Sequence, residues 1–257
     1  MISHGVPQGS VLGPLLFLLF INDLPSAIPH SATFLFADDT GLLYSDSNLQ
    51  VIEEKINYDL NSLSTWLKSN MIALNTTKTE VILFRNPRKK LGYSIKVALD
   101  GYDISLSSHV NYLGLLLDEN LSFKTHINHL SSKLSKTNGI IAKLRHFLPL
   151  HSLWSVYHSL FQSRLSYRLQ IFGSSLSSNS RLFSLQKTAL RFMTFSNPQS
   201  HSKPLFVALD VAEIKELLFI SNILLIFKTF NCLAPINISS TLNLCYAHIH
   251  MQPEFQP

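Results

Sequence analysis

Thr33-Phe34-Leu35-Phe36-Ala37-Asp38-Asp39-Thr40-Gly41-Leu42-Leu43-Tyr44 is the stretch on which the fold turns. Two short apolar runs, Thr33 to Ala37 and Gly41 to Tyr44, flank an Asp-Asp-Thr triplet. That pattern predicts an antiparallel hairpin with Asp38 and Asp39 at its tip. The first forty residues contain no Lys or Arg, so neighbouring cations cannot neutralise the two carboxylates. Hard divalent cations are the usual partners of such oxygens. A solvated turn is the alternative, because Asp is a common turn residue.

Outward from the hairpin, the pattern is mixed. Leu15 to Ile21 follows a Gly/Pro turn and precedes Asn22-Asp23-Leu24-Pro25, which predicts a short buried helix stopped before the proline. Downstream, Leu49, Ile52, Ile56, Leu60, Leu63 and Leu67 recur at helical spacing and predict a one-faced amphipathic helix against a sheet. Val81 to Phe84 reads as a strand, Ser94 to Ile104 as a hairpin turning at Asp100-Gly101, and Val110 to Leu117 completes this part. After Asn120 the period is helical: Ile127 to Leu144, Leu153 to Leu169 and Leu182 to Met193, then apolar segments Leu205 to Leu209 and Leu217 to Phe230. The fold class expected is α+β, divided near residues 118 to 122.

Charge divides at the same place. Between Asn120 and Leu209 stand eleven Lys or Arg residues and no Asp or Glu, while the rest of the chain holds ten basic against sixteen acidic residues. An acid-free stretch of that length suits a phosphate-bearing polymer, which binds Lys and Arg by releasing condensed counterions; an ordinary solvated helix face is the other reading. Apolar residues make up 46% of the 257 and charged residues 14%, a composition that excludes a disordered chain. Two cysteines exclude a disulfide scaffold, and Cys245 with His248 and His250 is too sparse to argue zinc. The longest apolar run, Leu15 to Ile21, is far short of the ~20 residues of a membrane span, and Met1 to His4 has no charged leader. The expectation is an intracellular protein, nuclear or cytoplasmic, neither secreted nor in a membrane.

Gly5-Val6-Pro7-Gln8-Gly9-Ser10-Val11-Leu12-Gly13-Pro14, then Phe20-Ile21-Asn22-Asp23-Leu24-Pro25, then Phe36-Ala37-Asp38-Asp39-Thr40 together resemble the reverse transcriptase of non-LTR, LINE-type retrotransposons of the jockey or CR1 kind. The likeness continues through Trp66, Leu74-Asn75, Lys78-Thr79 and Tyr112-Leu113-Gly114, and more diffusely through Tyr157 to Leu160, Leu165 to Tyr167 and Leu185 to Arg191.

The resemblance implies a partial polymerase palm, an antiparallel sheet with helices, over residues 1–119, and an all-helical thumb-like region over 120–257. It implies RNA-directed DNA synthesis, in which Asp38 and Asp39 hold two Mg²⁺ ions. Pro7, Gln8, Gly9, Phe36 and Lys78 would lie at the incoming nucleotide, template base and primer end. Leu113 and Gly114 would form the primer grip, and Lys133, Lys136, Lys143, Arg145, Arg164, Lys187 and Arg191 would contact the nucleic-acid backbone. The implied partners are an RNA template, a DNA primer, their hybrid and deoxynucleoside triphosphates.

Such polymerases carry a further catalytic aspartate and the fingers upstream of the glycine-rich loop, so the 257 residues alone are expected to be inactive. A nucleic-acid-binding remnant that uses only the basic helices, or a helical scaffold, are the alternatives.

Overall fold

The computed structural model describes residues 9–88, 92–174, 176–234 and 238, without the side chains of 176–180. The expectations for Pro7 and Gln8, and the Cys245, His248 and His250 group, lie outside the described residues. The chain divides into two compact units, Met1–Leu121 and Ser122–Pro257.

The first unit opens on α1 (Gly13–Ile21) and α2 (Leu24–Ala27), each with proline in its first turn, where the missing N–H costs nothing. The expectation of a buried α1 is corrected. Only Gly13 and Ile21 are buried, while Leu15, Leu16, Leu18, Leu19 and Phe20 are exposed. A nine-residue helix apolar on every side can lay only one side on a single layer, here through Ile21, Phe17 and a Phe20–Trp66 ring contact at 6.3 Å.

β1 (Ala32–Phe36) and β2 (Asp39–Leu43) pair antiparallel, from Ala32 opposite Leu43 to Phe36 opposite Asp39. The hairpin is as read from the sequence, but its turn is tighter. Ala37 and Asp38 alone make the bend and Asp39 already belongs to a strand. Ala37 takes φ 51°, the left-handed region that lets a two-residue turn match strand twist.

α3 (Leu49–Ser69) starts at Asn48, whose side chain accepts from the Gln50 amide. It buries Ile52, Leu60, Leu63 and Leu67 with Ile21, Leu24, Ile28, Ile95, Val97 and Leu99. β3 (Val97–Leu99) and β4 (Tyr102–Ile104) turn at Asp100-Gly101, both at positive φ as an Asp-Gly hairpin requires. β5 (His109–Tyr112) and β6 (Leu115–Asp118) turn at Leu113-Gly114 in the same way.

The single antiparallel sheet expected here is corrected to three separate two-stranded ones among the described residues. Side chains of α3 occupy the edge of the second hairpin. Asn57 donates to the Lys96 carbonyl and accepts from the Ala98 amide, and Glu53 accepts from the Lys96 amide and the Tyr93 hydroxyl. Nor is Val81 to Phe84 a strand: it contributes one isolated bridge, Val81 to Leu106. Its carbonyl at Val81 and the amide of Arg85 bond to two different segments, Ser107 and Glu119, so no ladder propagates.

The second unit is helical: α4 (Lys124–Leu144), α5 (Leu150–Val156), a π-helical stretch (Tyr157–Gln162), α6 (Ser163–Ser166), α7 (Leu169–Phe172), α8 (Leu176–Met193), α9 (Lys203–Ala208) and α10 (Ile214–Phe230). The helix expected over Leu153 to Leu169 is interrupted. Arg168 adopts φ 54°, which ends α6 and restarts the chain as α7. Tyr157, Phe161, Leu165, Leu169 and Phe172 form the core with Leu134, Ile141, Leu182 and Leu190. No helix among the described residues is long and apolar enough to cross a membrane.

Candidate active site

The β1–β2 hairpin presents Asp38 in its turn and Asp39 at the first position of β2, both exposed. Because side chains alternate along a strand, Asp39 shares one hairpin face with its cross-strand neighbour Phe36 and with the Phe34–Gly41 pair. Phe36 is 62% exposed, leaving a flat ring open to solvent beside a carboxylate.

Tyr112, the last residue of β5, packs on that same face. A β-carbon on Gly41 would meet its hydroxyl at 3.1 Å and its ring carbons at 3.2 and 3.3 Å. The structure thus brings the Asp38-Asp39 turn alongside the hairpin that carries Leu113 and Gly114, roughly seventy residues later in the chain. The two turn residues hold φ of 48° and 83°. Lys78 is exposed and ends a 3₁₀ turn, Thr76–Lys78. Gly9 has φ 83°, a conformation glycine adopts without strain, and Ser10 accepts from the Gly13 amide at 3.1 Å to start α1.

A second cluster holds the hairpin, and its one sign in the sequence is that Asp59 falls at helical spacing from Ile52, Ile56 and Leu63, on the apolar face of α3. Asp59 of α3 is completely buried. Its carboxylate accepts from the His30 amide at 3.1 Å, from His30 Nδ1 at 2.8 Å and from the Tyr44 hydroxyl at 3.2 Å. With a carboxylate as acceptor, Nδ1 is the ring nitrogen that carries the proton. Burial, reinforced by the Asp59 charge and hydrogen bond, pushes the Tyr44 hydroxyl far above the ordinary tyrosine range.

In the second unit the candidate backbone contacts separate into two sets. Lys133, Lys136 and Lys143 are exposed and, with His129 and Ile140, follow each other three or four residues apart, so they form one stripe along α4. The other four side chains have partners within the unit. Arg145 stacks over Phe195 at 4.7 Å, and Lys187 stands 4.0 Å above Phe183. Arg164 donates to Thr137 Oγ1 at 3.0 Å, and Arg191 donates twice to the Ser200 carbonyl. Gln186, from the segment Leu185 to Arg191, is wholly buried: it donates to the Tyr157 hydroxyl and the Ala212 carbonyl and accepts from the Ile214 amide. Burial raises the Tyr157 hydroxyl to about 12, against the Gln186 bond, which lowers it.

Residues 1–117 match the family model described as "Reverse transcriptase (RNA-dependent DNA polymerase)". Among curated proteins, the chain is 29% identical over 202 residues to the RNA-directed DNA polymerase from mobile element jockey of Drosophila melanogaster. It is 30% identical over 203 residues to the probable RNA-directed DNA polymerase from transposon BS of the same species. The probable RNA-directed DNA polymerase from its transposon X-element is 28% identical over 202 residues. These alignments cover 74%, 74% and 75% of this chain but only 22% of each relative, so the chain spans about a fifth of their length. No solved structure matches. Residues 1–117 thus form a reverse transcriptase segment, and over about three quarters of its length the chain is similar to RNA-directed DNA polymerases of non-LTR mobile elements.

Proposed function

We propose that this chain carries the aspartate turn of an RNA-directed DNA polymerase, within a palm, joined to a basic, thumb-like helical unit that grips nucleic acid. One observation carries this reading: the Asp39–Phe36 pair lies on the hairpin face against which Tyr112, neighbour of Leu113-Gly114, is packed. In the reaction, the primer 3′-hydroxyl oxygen bonds to the α-phosphorus of a deoxynucleoside triphosphate, pyrophosphate leaves and the hydroxyl proton passes to solvent. When bound, Mg²⁺ neutralises the charge that builds on the phosphate oxygens.

Asp38 and Asp39 are hard oxygen donors at an open tip, which fits an ion that keeps waters and phosphate oxygens in its shell. Phe36 lies beside the primer end, Leu113 and Gly114 hold the primer strand, and Lys78 reaches the triphosphate. Pro7, Gln8 and Gly9 lie against the incoming nucleotide and template base.

Among the described residues no group of three or more His, Cys, Asp or Glu side chains could hold a metal. Two acids of one turn fall short of the set that holds two ions ~3.5–4 Å apart. The described residues alone therefore do not complete a two-ion site, and a further carboxylate from outside them completes the set.

The test is binding of Mn²⁺, followed by electron paramagnetic resonance, and of a labelled RNA–DNA hybrid, followed by anisotropy across a salt series. Mn²⁺ binding lost in Asp38→Ala, with hybrid affinity that falls steeply with salt, supports the reading; absence of both overturns it. The α4 stripe of Lys133, Lys136 and Lys143 favours a second reading, a nucleic-acid binder without catalysis, for which salt-steep binding would persist with no metal dependence on Asp38.

A further inference from the structure

We infer that Asp59 is a positioning residue for the Asp38-Asp39 turn, holding both roots of its hairpin to one helix; this rests on the reading of those two aspartates as the ion-holding pair. The ladder opens at Ala32 opposite Leu43 and closes at Phe36 opposite Asp39. His30 stands two residues before the first strand and Tyr44 follows the last residue of the second. Both donate to the one buried carboxylate of Asp59, so a single side chain spans the open end of the hairpin.

The hairpin needs such a hold. It is a separate two-stranded sheet of five residue pairs, and an isolated two-stranded hairpin is marginal in water. Its tip is exposed and bends through Ala37 in the left-handed region. A five-residue strand is about 16 Å long at ~3.3 Å per residue, so a swing of about 10° at the root moves the tip by roughly 3 Å. A displacement of that size is comparable to a metal–ligand distance of ~2.0–2.1 Å for Mg²⁺ and would break the placement of donor oxygens.

The anchor itself is stiff. Asp59 lies within the 21-residue α3, beside the buried Leu60 and Leu63. Three donors satisfy its carboxylate, which a buried charge requires. Two lesser contacts reinforce the same root: Ser31 Oγ lies 2.9 Å from Thr33 Oγ1, and the His30 ring meets Tyr58 edge-on at 5.0 Å. Among the described residues nothing comparable ties Asp59 to the second hairpin, which α3 holds through Glu53, Asn57, Ser64 and Lys68 instead.

The experiment compares the full 257-residue chain with Asp59→Asn and Tyr44→Phe by amide hydrogen exchange and by Mn²⁺ paramagnetic resonance. In Asp59→Asn, exchange over residues 33–43 is expected to quicken tenfold or more, with Mn²⁺ affinity several-fold weaker and exchange over Val97 to Ile104 unchanged. Tyr44→Phe, which removes one hydroxyl, is expected to give a smaller effect in the same place; if Asp59→Asn fails to fold, this variant decides. Wild-type exchange in the hairpin, or loosening shared equally by Val97 to Ile104, would overturn the inference. Mn²⁺ binding that is absent from the wild type or indifferent to Asp38→Ala overturns the ion-holding reading instead, and the exchange data still decide whether Asp59 holds the hairpin.

Discussion

The hydroxyl oxygen of Tyr112 lies 3.1 Å from the point where a β-carbon on Gly41 would stand. Glycine at this position therefore does more than loosen a strand: it lets the ring of one hairpin lie against the backbone of the other. The contact joins the hairpin of the Asp38-Asp39 turn to the hairpin of Leu113 and Gly114 through close packing.

Gly41→Val is expected to destabilise the first unit by about 1–3 kcal/mol, the usual penalty for overpacking. In Tyr112→Ala the same substitution should cost less, because the ring that it strikes is gone. A double-mutant cycle by urea unfolding checks this: a coupling energy near zero would mean that the two hairpins do not press on each other.

Asp100 accepts from Lys68 Nζ at 2.7 Å and from Ser64, and these bonds hold its carboxyl below the usual carboxylate range, with Lys68 the larger cause. A folded-state value below the unfolded one means stability that is present above the unfolded value of ~3.9 and lost as pH falls through the folded value. Asp100→Asn, which keeps the left-handed turn residue beside Gly101, should flatten the acid limb of a stability–pH profile. Asp46 and Glu53 are lowered in the same sense, by Lys55 and by the Lys96 amide respectively, so part of the limb remains. An identical limb in wild type and variant would refute the assignment to Asp100.

Gln186→Leu should cost the second unit about 2–3 kcal/mol, since it leaves the Tyr157 hydroxyl, the Ala212 carbonyl and the Ile214 amide without their partner. Urea unfolding followed by Trp154 fluorescence reports it. A loss below about 0.5 kcal/mol would show that water replaces all three bonds.

Replacing Lys133, Lys136 and Lys143 together by Ala should lower the slope of log affinity against log salt for an RNA–DNA hybrid by about 0.9 for each phosphate no longer neutralised. Replacing Arg191, whose guanidinium is engaged with the Ser200 carbonyl, should change folding stability more than that slope. Salt titrations with both variants separate the two, and an unaltered slope in the triple variant would remove α4 from the nucleic-acid surface.

The hairpin, the amphipathic α3 and the Asp-Gly turn were legible in the sequence because each is written in neighbouring residues: a period of two, a period near 3.6, a turn dipeptide. The family was legible for the same reason, through contiguous motifs from Gly5 to Thr40. What the linear pattern misjudged was surroundings. Leu15 to Ile21 reads as core, yet most of α1 stands exposed, because apolarity sets what a helix can bury and not how many layers are there to cover it. Val81 to Phe84 reads as a strand, yet its bonds go to two separate segments. Asp59 falls at helical spacing from Ile52, Ile56 and Leu63, so the sequence puts an acid on the apolar face of α3 without showing what satisfies it. Its burial is decided by His30 and Tyr44, 29 and 15 residues away, and the Tyr112–Gly41 contact likewise joins distant residues. Local periodicity determines which elements form; the partner of a buried polar group, and the space beside a glycine, exist only once the tertiary fold has brought distant side chains within a few ångströms.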